Sequence, residues 1–237
     1  MSSRLFSACI LTLLITSLAT AQPATTTAPA TTQASVKADQ STPRGALKSL
    51  TVAMNKGDAT GIKSVFNPTG DVENKMVDAV VNQQQALMKF RDSAVTAFGA
   101  EEARKLTGDL DAAQAESLAA LDQVPENITG DEATVGDGDQ LVHLKKQGEK
   151  WTLPVNTLAP QINAQSVDKE LSQVTERTKF FTEMADEMSK GKYKTADEAG
   201  KALQLRVLQQ VMSQQGAATQ PSTAPAAPSA APGPGGL

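Results

Sequence analysis

The chain has 237 residues, 40% of them hydrophobic and 3% aromatic, with a formal net charge of −4 and one cysteine. That length suits one domain with tails, and the scarcity of aromatics requires an aliphatic, alanine-rich core. The acidic balance supplies no basic footprint, so nucleic acid is not expected as a partner.

Residues 1–21 read as a secretory signal peptide. Arg4 is a minimal positive n-region, residues 5–18 form the apolar run, and Ala19-Thr20-Ala21 is an A-x-A cleavage site. The run is too short, and too broken by Ser and Thr, for a transmembrane span; no stable membrane span is expected after cleavage. Two rival readings are Cys9 as a lipidation site and the leader as an uncleaved anchor. Because Cys9 lies in the leader, the mature protein should have no disulfide, thiol nucleophile or thiolate metal site. The leader directs the protein to a periplasm or the extracellular space, and its style is bacterial. Residues 22–41 are mostly Ala, Thr, Pro and Gln and cannot bury enough apolar surface to fold, so they form a disordered linker. The uncharged Pro/Ala-rich tail, residues 214–237, has the same character.

The folded domain is expected over residues 42–213. Thr42-Pro43 is an N-cap followed by Pro at the first helical position. Ala46, Leu47, Leu50, Ala53 and Met54 then share one helical face, and Gly57 supplies the left-handed stop. Asp58 caps a short helix containing Ile62, Val65 and Phe66, which ends at Asn67-Pro68. Asp71 is read as the cap of a long helix to Phe98. Its stripe is Val72, Met76, Val80, Leu87, Phe90, Ala94 and Phe98, with Val77 and Val95 on a flank. Gln83, Gln84 and Arg91 fall on or beside the stripe, where buried polar groups need partners. Two shorter helices follow, separated by Thr107-Gly108 and closed by Pro125.

Residues 128–155 are the β-structure, a three-stranded antiparallel meander over about 131–155. Asp137-Gly138 and Gln147-Gly148 are read as two-residue turns. Such turns pair Ala133 with Val142, Val142 with Leu153, and Leu144 with Trp151. Ala133, Val135, Val142, Leu144, Trp151 and Leu153 then share an apolar face, while Thr134, His143, Lys145, Lys150 and Thr152 take the polar one. After a connector, Val167, Leu171, Val174, Thr178, Phe181, Ala185 and Met188 make an a/d seam over residues 167–188. It suits packing within the chain, or oligomerisation. Lys190-Gly191 stops this helix, and Thr195 with Glu198 forms a capping box for the last one. The fold class is therefore helix-rich α+β, the meander packed against several helices with two long helices after it. A helical bundle with a β-hairpin is the alternative.

Motifs for chemistry are sparse. Residues 57–64 approximate a phosphate loop but lack the spacing and the preceding strand. Asp137-Gly138-Asp139 begins like a calcium loop, yet Leu141 and Val142 stand where a ligand and a glycine are required. Ser166 and Lys169 make an S-x-x-K at a helix start, without its partner motifs. The only histidine, His143, is the one residue available to a histidine-based triad. Asn127-Ile128-Thr129 is a glycosylation sequon in a eukaryotic host only. No catalytic residue, metal ligand or cofactor is assigned. Gln84, Arg91 and His143 are the candidate ligand-binding residues, as lining of a pocket between the meander and the long helix.

Residues 42–66, with the Gly57-Asp58 turn between two helices, resemble the opening of secreted NTF2-like domains of the cystatin-like α+β superfamily. Asp131, Ala133 and Val135, followed by Leu144, Lys146, Gly148 or Glu149, Trp151 and Leu153, resemble that superfamily's terminal strands. The resemblance implies a curved sheet forming a cone around a pocket, in a superfamily that includes both enzymes and non-catalytic domains. This chain departs from it in being helical between the second helix and the strands, and in its two long C-terminal helices. The overall reading is an exported, non-enzymatic domain that binds a protein, a wall component or a small apolar ligand. An assembly factor acting through residues 167–188 and an extracytoplasmic enzyme are the alternatives. Mass spectrometry of the exported protein is expected to find Gln22 at its N-terminus; a retained Arg4 would contradict cleavage.

Overall fold

The computed structural model describes residues 39–138, 141–155 and 164–217. The leader, most of the 22–41 linker and the tail beyond residue 217 lie outside the described residues, as does Asp139 of the calcium-like motif. The described residues divide into two compact units, with the boundary after Gly200.

In the first unit, α1 (Pro43–Lys56) starts where the Thr42 hydroxyl accepts the Gly45 N–H. It stops at Gly57, whose φ of 62° lets its N–H reach the carbonyls of the last turn. The Asp58 carboxylate accepts the Thr60 and Gly61 N–H groups and so opens α2 (Ala59–Phe66). That helix ends at Asn67, in the left-handed conformation with φ 42°. Helix α3 (Asp71–Phe98) begins differently from expectation: its N-cap is Gly70, without a side-chain bond, and Asp71 lies inside the first turn. The start is fixed instead by Glu73, which accepts from the Thr69 N–H at 2.7 Å and hydroxyl at 2.9 Å. Those bonds favour the ionised carboxylate and hold its pKa below the ordinary value. Helices α4 (Ala100–Thr107) and α5 (Leu110–Gln123) follow. Although α5 buries none of its own residues, polar ties fasten it to α1. The Asn55 amide bonds to the Leu110 carbonyl and to Gln114, and Lys48 pairs with Asp122.

The sheet has four antiparallel strands in sequence order: β1 (Glu126–Thr129), β2 (Glu132–Val135), β3 (Val142–Gln147) and β4 (Lys150–Thr152). The expected meander of three strands is thus corrected by the addition of β1. Gly130, at φ 62°, and Gly148, at φ 63°, open two-residue connections. The positive φ falls on the first loop residue alone, the type II′ form.

The register also differs from expectation. Ala133 faces Leu144, Val135 faces Val142, and Trp151 faces Lys146. Two turns cause this: β2 and β3 are joined by more than the two residues Asp137-Gly138, and the β3–β4 turn is Gly148-Glu149 in place of Gln147-Gly148. Both hairpins move by two residues, which equals the side-chain period, so the predicted faces survive. Ala133, Val135, Leu144, Trp151 and Leu153 are buried, and His143, Lys145 and Lys150 are exposed. Thr152 departs from this pattern: it is buried, with its hydroxyl donating to the Lys145 carbonyl at 3.1 Å.

Ala46, Leu47, Leu50 and Ala53 of α1, Ile62, Val65 and Phe66 of α2, and Val77 and Val81 of α3 pack on the apolar face. This side-chain cluster occupies the face on which the NTF2-like resemblance implies a pocket. The outer edge of β4 is covered as well. The Trp151 N–H donates to the Gln40 carbonyl and the Leu153 N–H to the Val65 carbonyl, each at 2.8 Å. The Asp39 N–H donates to the Ser49 hydroxyl at 2.9 Å. Residues 39–41, which composition assigns to the linker, are thus tied to the folded body.

Helix α6 (Ala164–Ser189) lies beside α3. The Phe90 and Phe181 rings are 5.7 Å apart, Lys89 pairs with Asp186 at 2.7 Å, and the Ser189 hydroxyl donates to Ser93 at 3.2 Å. The Lys89–Asp186 and Ser93–Ser189 contacts advance together along both helices, so the two run parallel. Being held on two sides explains the rotated stripe of α3. Val77, Val81, Ala86, Phe90 and Ala94 are buried, whereas Val72 and Val95 are 48% and 39% exposed. The seam read at residues 167–188 packs within the chain, with Val167, Ala185 and Met188 buried. Gly191, at φ 68°, follows the end of α6. The capping box opens α7 (Ala196–Ala217): Thr195 accepts the Glu198 N–H at 3.2 Å, and Glu198 accepts the Lys194 N–H at 2.8 Å.

The second unit contains α7 from Lys201 onward. This helix continues through residues 214–217, which composition assigns to the tail. It carries Leu205, Leu208 and Met212 exposed at i, i+3 and i+7. Among the described residues, no helix is long and apolar enough to cross a membrane.

Trp151→Ala is expected to cost about 3–5 kcal/mol, the usual range for truncating a buried aromatic. Gly57→Ala should cost about 1–2 kcal/mol for forcing a Cβ into the left-handed region. Urea unfolding of both variants measures these losses.

Candidate functional site

On α3, Gln85, Met88, Lys89, Asp92, Ser93 and Thr96 recur at three- and four-residue intervals and form one face. The end of α1, at Lys56 and Gly57, approaches this face, and so does Ser189, the last residue of α6. Together they bound a cleft of about 400 Å3, open to solvent. Its shape depends on Gly57. A Cβ there would stand 3.1 Å from Met88 Cγ, so the Met88 side chain would have to give way by a few tenths of an ångström. The buried Ser93, bonded to Ser189, ties α6 to the same place.

The charges in the cleft differ in their partners. The Lys89 ammonium is held by Asp186 of α6 at 2.7 Å. Hydrogen bonding from Lys89, reinforced by its charge, holds the Asp186 carboxyl below the ordinary carboxylate range. Lys56, Gln85, Asp92 and Thr96 also line the cleft, and their side chains have no hydrogen-bond or ion-pair partner among the described residues. The cleft thus presents one ammonium, one carboxylate, one amide and one hydroxyl to solvent. Neither Ser93 nor Ser189 is bonded to a base, and the lining contains no His or Cys. Hydrogen bonds and charge are interactions this lining offers a ligand. Among the described residues, no three His, Cys, Asp or Glu side chains are grouped to hold a metal ion.

None of Gln84, Arg91 and His143 lines this cleft, and no hydrogen bond joins any two of them. Gln84 is 3% exposed on the buried side of α3, and its Nε2 has no hydrogen-bond partner among the described residues. Arg91 is drawn toward Asp111 of α5, at 3.4 Å. His143 is exposed on β3 opposite Thr134. Its side of the sheet is the polar one, while α3 packs under the apolar one, so the sheet stands between His143 and Gln84. Ser166 and Lys169 of the S-x-x-K motif lie in the first turns of α6. In sequence, the cleft-lining row on α3 has the pattern of an ordinary solvated face. Its only local signal is Gly57, which fixes where α1 ends.

No family model matches the chain, and comparison with curated proteins and with solved structures likewise finds no match.

The Asp186 pKa, lowered in the folded state, fixes the direction of a pH effect. Stabilisation from the Lys89–Asp186 pair is present above the ordinary carboxylate range. It is lost as pH falls through the depressed folded-state value. Asp186→Asn should therefore flatten the acid limb of the stability profile, with little change in its shape above neutrality. Urea midpoints followed from neutral to acid pH test this, and an unchanged acid limb would contradict it.

Proposed function

We propose that the chain is an exported, non-enzymatic binding domain that receives a small polar ligand in the cleft formed by α3 and the ends of α1 and α6. The observation that carries this reading is the set Lys56, Gln85, Asp92 and Thr96, polar side chains without protein partners around one cleft. These four side chains are solvent-exposed, and polar groups around a concavity can orient a ligand. The non-enzymatic part is carried by the sequence, in which the phosphate-loop-like and S-x-x-K motifs are each incomplete. Export is supported by the leader, with its Arg4 n-region, apolar run and A-x-A site. The ligand favoured by this lining is polar, in contrast to the small apolar ligand that the sequence leaves open beside a protein or a wall component.

Titration of the 15N-labelled full chain with a panel of small polar metabolites tests the reading. Amide shifts are expected at Lys56, Gly57, Ser189 and along residues 85–96. Shifts confined to other surfaces would reject it.

A further inference from the structure

Resting on the cleft reading above, we propose that the ligand is a small zwitterion, a free amino acid or short peptide. Its carboxylate meets Lys56 and its ammonium meets Asp92. The argument begins from charge. Three ionisable side chains line the cleft, Lys56, Lys89 and Asp92. Lys89 is already matched by Asp186. Lys56 and Asp92 form no ion pair with each other or with any other described residue, so one positive and one negative group remain in a single concavity. A ligand with one charge would leave one of them unmatched, whereas a dipolar ligand satisfies both.

Asp92 adjoins Ser93, whose hydroxyl is bonded to Ser189 at the end of α6, and Lys56 enters with the end of α1, so the two charges are brought to the cleft by different helices. The Gln85 amide and the Thr96 hydroxyl add uncharged donors and acceptors. Met88, beside Gly57, is the apolar contact available to a ligand side chain. A volume of about 400 Å3 accommodates a ligand of this size.

The test is calorimetric and NMR titration of the full chain with five probes: glycine, L-alanyl-L-alanine, acetate, ethylammonium and glycerol. The two zwitterions are expected to shift the cleft amides at lower concentration than the other three. The tighter of the two identifies free amino acid or peptide as the source. Lys56→Met and Asp92→Asn should each weaken zwitterion binding about threefold, the scale of a solvent-exposed ion pair, with unchanged urea midpoints. Lys63→Met, which breaks the exposed Lys63–Asp78 pair away from the cleft, should leave binding unchanged. If acetate, ethylammonium or glycerol binds the cleft as tightly as the zwitterions, the zwitterion assignment fails and the cleft reading stands. If no probe moves the cleft amides, both fail.

Discussion

Helix α3 is buried from two directions, and much of the first unit depends on that. Val77 and Val81 join the cluster under the sheet, while Phe90 meets Phe181 of α6. A helix held on two sides needs more than the single apolar stripe of an ordinary surface helix. Its burial accordingly includes small and polar residues, Ala86, Ser93 and Gln84. The unpartnered Nε2 of Gln84 is a local cost of that arrangement. The parallel course of α3 and α6 requires the chain to return to its starting end between them. The α4, α5 and sheet segment makes that crossover, so the sheet is inserted into the helical pair in sequence and packed beside it in space.

The sheet remains small because both its edges and its apolar face have specific solutions. The β4 edge receives the Gln40 and Val65 carbonyls, which occupy backbone donors that would otherwise offer a template for another strand. Among the described residues no strand pairs with the outer edge of β1, which is short and carries Glu126 and Asn127, features that discourage pairing between sheets. Ile128 lies on β1 at 52% exposure because the helices cover the sheet from β2 inward. The apolar face is filled by side chains of α1, α2 and α3, and the cleft lies where the ends of α1 and α6 meet α3.

That cleft follows from where helices stop. Gly57 ends α1 in the left-handed conformation and permits its close seat on Met88. Gly191 follows the end of α6 just beyond Ser189, which reaches Ser93. Between these two stops, α3 presents a row of polar side chains that its neighbours do not use. The same helix thus supplies core, helix–helix contact and exposed recognition surface from different sides of one cylinder.

The sequence by itself determined what is local: the helices and most of their caps, and the two faces of the sheet. Thr42, Asp58, Gly57, Thr195 and Glu198 act within a few residues of themselves, so their effect is written in their immediate neighbours. The sheet faces survived a wrong register because a two-residue shift preserves alternation. The strand β1, the exposure of Val72 and the burial of Gln84 were decided by the tertiary structure, since each depends on which element lies alongside. Gln84, Arg91 and His143 stand apart for the same reason: the sheet separates His143 from α3, and α5 draws Arg91 toward Asp111. The cleft belongs to this second class too. Its residues come from three helices distant in sequence, and only the parallel packing of α6 on α3 and the close seat of α1 bring them together.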